Sequence, residues 1–149
     1  MHENEIQYFS DAYNLIQDKF FVDAIHIFQK LVDEFPESDL ADDALYNIGL
    51  CYYEMNQLPK CIEVLEKMID KYPDATISAL EKENEFGKTA AKAYYLIVLC
   101  YIGLNDIQKA ESFIPILCEY NDSYFIKNDE KITFTQLAND AIIKFKNLM

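Results

Sequence analysis

The sequence predicts an all-α protein built from repeated helix pairs, and three observations lead there. The 149 residues include 51% apolar and 26% charged side chains, a composition that folds around an apolar core. Only three glycines are present, too few for a sheet with many tight hairpins. Apolar residues also recur at helical spacing along most of the chain. We therefore expect a single helical domain over residues 1–149.

Seven helices follow from the 3.6-residue period, and short links such as 55–57 and 103–105 favour antiparallel neighbours. A capping helix is expected at 130–147, because its apolar stripe would cover the face of the preceding pair; a dimer seam or a membrane-surface helix is the alternative. The helices are predicted near 3–18, 20–34, 41–55, 58–71, up to about 103, 106–120 and 130–147.

Two places depart from this regular pattern. Residues 74–90 are longer than a link requires, and Ser78-Ala79-Leu80-Glu81 has the form of a capping box. We expect a helical insertion over 74–90, in which the fifth helix begins early and forms either a solvated extension or a partner contact. Pro115 lies inside the sixth helix and predicts a kink near Ser112 and Phe113, because proline lacks the backbone donor.

Similar side chains recur 37 and then 49 residues further along the chain. The small residues Ala24, Cys61 and Ala110 are each followed four positions later by a large apolar residue. Four sets that share one pair of offsets indicate three repeated units. The other three sets are Tyr8, Leu45 and Tyr94; Ala12, Gly49 and Val98; and Leu15, Tyr52 and Tyr101.

The middle unit reads Leu45-x2-Ile48-Gly49-x2-Tyr52, then Cys61-x3-Leu65 and a closing Pro73. This order resembles the tetratricopeptide repeat, whose first helix carries a large residue, a Leu-Gly pair and a Tyr. The resemblance implies a right-handed superhelix of about three helix pairs, in units of about 5–38, 42–75 and 91–122, plus the capping helix. Residues 35–45 look like the variant found in bacterial cell-envelope proteins of the Tol–Pal coordinator and outer-membrane assembly lipoprotein type.

A concave groove lined by the first helices is the binding surface that the resemblance implies. Asn47 and Lys92 match two positions of the family's clamp for a terminal carboxylate, but Phe9, Tyr13 and Leu96 replace the rest, so no such clamp is expected. The groove set is aromatic and aliphatic, which suits an apolar peptide or helix. The groove residues are Phe9, Tyr13, Tyr46, Asn47, Leu50, Tyr53, Lys92, Tyr95, Leu99 and Ile102.

The charge of the chain narrows the class of partner. The formal net charge is −13, and all 13 basic residues are Lys, so the bidentate donor favoured for phosphate recognition is missing. Nucleic acid is therefore not an expected partner. A basic or apolar protein segment is expected instead.

Catalytic and metal-binding motifs are not recognisable in the sequence, so we expect no enzyme, no cofactor and no metal site. The four cysteines, Cys51, Cys61, Cys100 and Cys118, lie in apolar helical runs and are expected to be buried reduced thiols. The N-terminal residues do not form a secretory signal, and no apolar run is long enough for a membrane span. The cytoplasm is the expected location, or the periplasm if a leader has been removed.

Binding of a protein segment in the groove, without catalysis, is the leading functional hypothesis. A self-assembling structural subunit, with the aromatic face used in a homodimer, is one alternative. A three-repeat cytoplasmic chaperone is the other, and it would share the same groove.

Overall fold

A computed structural model describes residues 3–78, 80 and 84–149. Most of these residues are helical, and the helices pack in sequential antiparallel pairs, as predicted. None of the described helices is both long enough and apolar enough to cross a lipid bilayer. The helices are α1 (Glu3–Gln17), α2 (Phe21–Glu34), α3 (Ala41–Glu54), α4 (Leu58–Lys71), α5 (Thr89–Gly103), α6 (Ile107–Ser112), α7 (Ile114–Leu117) and α8 (Phe134–Asn147), and the strands are β1 (Glu85–Phe86), β2 (Tyr124–Lys127) and β3 (Glu130–Thr133).

The turn inside each helix pair has the same geometry in all three units. Lys19, Asn56 and Asn105 have φ values of 65°, 58° and 62°, and they are separated by the same 37 and 49 residues. In each turn the next backbone N–H donates to a carbonyl five residues earlier: Phe20 to Leu15 at 2.8 Å, Gln57 to Tyr52 at 2.8 Å, and Asp106 to Tyr101 at 2.9 Å. The predicted repeat offsets are thereby confirmed in the backbone.

Small residues allow the two helices of a pair to approach closely, as the repeat pattern predicts. Ala24, Cys61 and Ala110 have no exposed surface. At Gly49 an added Cβ would lie 2.7 Å from Leu65 Cδ2, which is closer than real Cβ contacts. Position 49 therefore requires a glycine for packing.

The third unit departs from this packing. Val98 occupies the position equivalent to Gly49, and the second helix of the unit breaks at Phe113 into α6 and α7. Pro115 lies in the first turn of α7, where a missing N–H is tolerated, so the kink predicted near residues 112–113 is confirmed. The helix predicted to reach residue 120 ends at Leu117 and is followed by a 3₁₀ turn, Cys118–Tyr120.

Cys118 shows a consequence of that early helix end. Its side chain is exposed, which corrects the expectation that all four thiols are buried. Cys51, Cys61 and Cys100 are buried as expected.

A small antiparallel sheet, in the order β1-β2-β3, was not expected in an all-α fold. Phe125 pairs with Glu85 on one side and Ile132 on the other. Asn128 and Asp129 connect β2 to β3 with φ values of 53° and 64°, as a two-residue type I′ hairpin requires. The region from residue 130 is thus strand before it is helix.

The capping helix itself is confirmed, with a corrected start. Helix α8 begins at Phe134, and the Thr133 hydroxyl accepts a hydrogen bond from the Gln136 N–H at 3.1 Å. Phe134, Ala138 and Ile142 are buried against Val98 and its neighbours in the third unit. The array ends on this packed face.

The insertion over 74–90 is not helical in its described part, and α5 begins only at Thr89. Thr76 bridges to Lys88, and the Ile77 N–H donates to the Gly87 carbonyl at 2.9 Å. We call residues 74–88 the arm; 74–78, 80 and 84–88 are described. Of the predicted capping box, Ala79 and Glu81 lie outside the described residues. The two ends of the arm therefore lie side by side.

Candidate binding groove

Three parallel rows of side chains cross α1, α3 and α5, because the repeat places equivalent residues on each first helix. One row consists of Tyr13, Leu50 and Leu99. A second row consists of Ile16, Tyr53 and Ile102. A third row, at the N-terminal ends of the helices, is Ile6, Asp43 and Lys92. A cavity of about 350 Å³ opens between the helices and is lined by Tyr13, Ile16, Gln17, Tyr46, Leu50, Glu85 and Lys92.

Four of the ten predicted groove residues are buried and are not exposed on the surface of the groove. Phe9 is 2% exposed and packs edge-on against Phe28, with ring centroids 5.5 Å apart. Asn47 has no exposed surface, and its side-chain amide donates to the Asp43 carbonyl one turn earlier at 2.8 Å. Tyr46 and Lys92 are 9% and 4% exposed. Phe9 and Asn47 therefore belong to the helix core, which corrects their assignment to the groove surface.

The other six predicted residues are half-buried and form the open part of the surface. Together with Ile16 we call them the open groove: Tyr13, Ile16, Leu50, Tyr53, Tyr95, Leu99 and Ile102. Ile16 was missed, although it lies 37 residues before Tyr53 and could have been found from the repeat offset.

Two tyrosines in the open groove, Tyr53 and Tyr95, lie close enough for the charge of Tyr53 to affect the pKa of Tyr95. Burial raises the pKa of Tyr53 and of Tyr95, and the Tyr53 and Asp140 charges add to the rise at Tyr95. Both phenols therefore keep their protons at neutral pH and can donate hydrogen bonds. Tyr95 also packs against Phe134 of the capping helix, with ring centroids 6.4 Å apart.

The arm bonds to two positions of the N-terminal row, Asp43 and Lys92, and lines a cavity together with the third, Ile6. The Glu85 carboxylate accepts a hydrogen bond from Lys92 Nζ at 3.1 Å, in an ion pair whose side chains are 10% and 4% exposed. The Ser78 N–H donates to Asp43 Oδ1 at 3.1 Å. Leu80 shares a cavity of about 140 Å³ with Ile6 and its neighbours on α1. One end of the concave face is therefore covered by the chain itself.

Sequence comparison identifies the repeats. Two family models of the tetratricopeptide repeat match, one over residues 43–75 and one over residues 91–114. These two segments, 33 and 24 residues of the 149, are similar to the tetratricopeptide repeat. The matches concern the repeat itself and not the cell-envelope variant. No curated protein matches the sequence.

Solved structures share the tetratricopeptide superhelix at low sequence identity. The Hsp90 co-chaperone Cns1 of Saccharomyces cerevisiae has a TM-score of 0.68 and 16% identity, over 99% of this chain and 42% of that one. The tetratricopeptide domain of Arabidopsis FLU has a TM-score of 0.61 and 14% identity, over 78% of this chain and 93% of that one. This chain spans less than half of the co-chaperone.

The tetratricopeptide scaffold here also buries a carboxyl between its second and third repeats. The Thr89 hydroxyl donates to Asp42 Oδ2 at 2.5 Å, and Asp42 is 2% exposed. Burial raises the pKa of Asp42 to about 6. Among the described residues, no group of three or more His, Cys, Asp or Glu side chains could hold a metal ion.

Proposed function

We propose that the chain is a non-enzymatic interaction module whose open groove binds an apolar segment of a partner protein, in a helical or extended form. The observation that carries the proposal is the open groove itself, in which three repeats present half-buried apolar and tyrosine side chains at equivalent positions. Such side chains supply contact area at low entropic cost, and the phenols add directional hydrogen bonds.

The charge around the groove favours basic residues next to that apolar segment. Asp140 is close enough to Tyr95, and Glu54 to Tyr53, to act on their pKa values. The chain as a whole carries a formal charge of −13. These charges would speed the encounter with a basic partner, while the apolar contacts would hold it.

The co-chaperone whose structure resembles this chain is named for its work with another protein, Hsp90. That class of role, in which one protein acts on another without catalysis, is the one we propose here. The likeness of residues 35–45 to the variant found in cell-envelope proteins is part of the same proposal. It bears only on the pathway in which the chain acts, and not on what the groove binds.

Site-specific photo-crosslinking in the native cell tests the proposal. A benzophenone side chain is placed at Leu50 in the open groove and, as the matched control, at the exposed Gln29 on α2. We expect Leu50 to capture a discrete protein through an apolar segment, and Gln29 to capture none of it. Equal capture from both positions would contradict the proposal.

The double variant Tyr53→Ala with Tyr95→Ala sharpens this test. We expect it to keep its thermal transition above the growth temperature and to lose the Leu50 crosslink by at least tenfold. Tyr8→Ala with Tyr120→Ala removes two half-buried tyrosines outside the groove and should leave the crosslink unchanged. A Leu50 crosslink to a second copy of this chain would instead identify self-assembly.

A further inference from the structure

The arm occupies the groove in the way a bound segment would. It bonds to equivalent positions on two successive first helices, through the Ser78 N–H on Asp43 and Glu85 on Lys92, and Leu80 lines one cavity together with Ile6, the equivalent residue of α1. A partner segment lying along the concave face of a tetratricopeptide array would meet the same row.

The arm is also separable from the helices that carry it. Its ends are bridged at Thr76 and Lys88, so α4 and α5 stay connected at the same distance whatever lies between. Next to that bridge, the Thr89 N–H donates to the Ala75 carbonyl at 3.0 Å and the Lys88 N–H donates to Ser123 Oγ at 2.9 Å. Between its two ends, the described backbone bonds to Asp43 through the Ser78 N–H and to the C-terminal hairpin through β1 and the Asn84 carbonyl, which accepts from the Ile126 N–H at 2.9 Å. Leu80 is 52% exposed.

We infer that the arm is an intramolecular ligand of the groove, and that a partner segment longer than the open groove must displace it. The inference rests on the proposed function, since it assigns a regulator to that same surface. Tethering gives the arm a high effective concentration over the N-terminal row. It therefore shortens the surface available to partners until a better segment replaces it.

The contacts of the arm indicate which side chains a segment that displaces it would carry. Lys92 Nζ lies 4.2 Å from the ring centroid of Tyr46 and is almost fully buried, so losing the Glu85 carboxylate is costly unless another carboxylate takes its place. The cavity around Leu80 is lined by Ile6, Phe9 and Tyr13 together with Ser10 and Asn14, so an apolar side chain can pack against the first three. The competing segment thus carries one Asp or Glu at the Lys92 end and an apolar residue at the α1 end.

Excision of the arm followed by its return as a separate peptide tests the inference. Residues 78–86 are replaced by Asn-Gly, which a two-residue turn allows because the Ile77 N–H already bonds to the Gly87 carbonyl. The probe is a fluorescein-labelled peptide with the sequence of residues 76–88. We expect saturable anisotropy with the excised protein below about 1 mM peptide, and at least tenfold weaker binding to the intact chain.

A peptide carrying Glu85→Gln is the matched control and should bind the excised protein at least tenfold more weakly. No binding of the unmodified peptide to a folded excised protein, equal binding to the intact chain, or equal binding of the two peptides would each overturn the inference. If far-ultraviolet circular dichroism shows the excised protein unfolded, the full-length variant Leu80→Ser with Glu85→Gln replaces it, with the same expectations. The Leu50 crosslink is measured on the intact chain, so it can succeed where this test fails.

Discussion

The second helix of the repeat is continuous in the first two repeats and broken in the third. Helices α2 and α4 both span 14 residues and close with the same hydrogen bond, from Phe35 to Leu31 and from Tyr72 to Met68, at 2.8 Å in each case. In the third repeat the corresponding helix is split into α6, with 6 residues, and α7, with 4. The array is therefore regular at one end and irregular at the other.

Besides Pro115, the residue at the helix crossing differs between these repeats. Gly49 leaves room for Leu65, whereas Val98 stands at the equivalent position opposite Ile114, where the second helix has broken. The shortened helix is followed by the β2–β3 hairpin, and this hairpin holds β1 of the arm. Irregularity in the third repeat thus builds the covered end of the groove.

Gly49→Val would impose the third repeat's crossing on the second repeat, and it should have the largest effect of the changes discussed here. The added Cβ would lie 2.7 Å and 2.9 Å from two atoms of Leu65, which is fully buried and cannot turn away into solvent. We expect the free energy of unfolding to fall by about 3 kcal/mol. Urea denaturation followed by circular dichroism measures it.

Gly103→Val is the matched control for this change. Gly103 ends α5 and is exposed, and a Cβ there would meet only the tip of the Leu58 side chain. We expect a loss below about 1 kcal/mol. Equal losses at the two positions would show that helix propensity, rather than the crossing, explains the requirement for glycine at 49.

The repeated part of the fold could be predicted because its determinants are local or recur at a fixed offset. The offsets of 37 and 49 residues place Lys19, Asn56 and Asn105 in identical turns, and short-range helical periodicity gives α1 to α5 to within a few residues, apart from the start of α5. Six of the ten predicted groove residues are half-buried, and their role in binding stays a prediction. Phe9 and Asn47 failed because each faces inward, toward Phe28 and the Asp43 carbonyl respectively.

The sheet and the arm could not be predicted from local pattern alone. Glu85 and Phe86 are strand only because Phe125 and Tyr124, almost forty residues away, pair with them. The expected helix over 74–90 therefore fails at Glu85 and Phe86, where pairing with distant residues decides the backbone conformation. The Asn128-Asp129 pair between two β-branched and aromatic runs was a usable hairpin signal, which the expectation of an all-α fold hid.

The junctions between repeats differ as well, and Asp42→Asn tests that difference through pH. Thr89 bonds to Asp42 at the second junction, whereas the fully buried Leu40 stands at the position equivalent to Thr89 in the first. The pKa of Asp42 is about 6 in the folded chain against 3.8 as the ordinary value. Its contribution to stability is therefore complete below pH 3.8 and is lost as the pH rises through about 6.

Asparagine keeps an acceptor for Thr89 without a charge to bury. We expect Asp42→Asn to be more stable than the parent by about 2 kcal/mol at pH 7.5 and about equal to it near pH 4, measured by urea denaturation. Asp70→Asn, which removes an exposed carboxylate from α4, is the control for the change in net charge. A stability difference between parent and Asp42→Asn that stays constant from pH 4 to pH 7.5 would contradict the raised pKa of Asp42.

Thiol labelling compares the regular repeats with the third repeat, and it requires no change in the stability of the protein. Cys118 is exposed at the end of the broken helix, while Cys51, Cys61 and Cys100 have no exposed surface. Burial raises the pKa of Cys51 to about 12, and a hydrogen bond with Cys100 together with burial raises the pKa of Cys61, so few reactive thiolates form there. A disulfide reagent should therefore modify Cys118 alone in native buffer.

The labelling also reports on the helix crossing. Leu65, which would lie 2.7 Å from the Cβ that Gly49→Val adds, is one turn from Cys61 on α4, so we expect the overpacked crossing to push α4 and Cys61 outward. We expect Cys61 to become reactive in that variant and to stay unreactive in Gly103→Val, as peptide mapping of the labelled protein would show. Labelling of Cys61 in the unmodified chain would mean that the regular repeats open as readily as the third, and that the contrast between them is not one of packing.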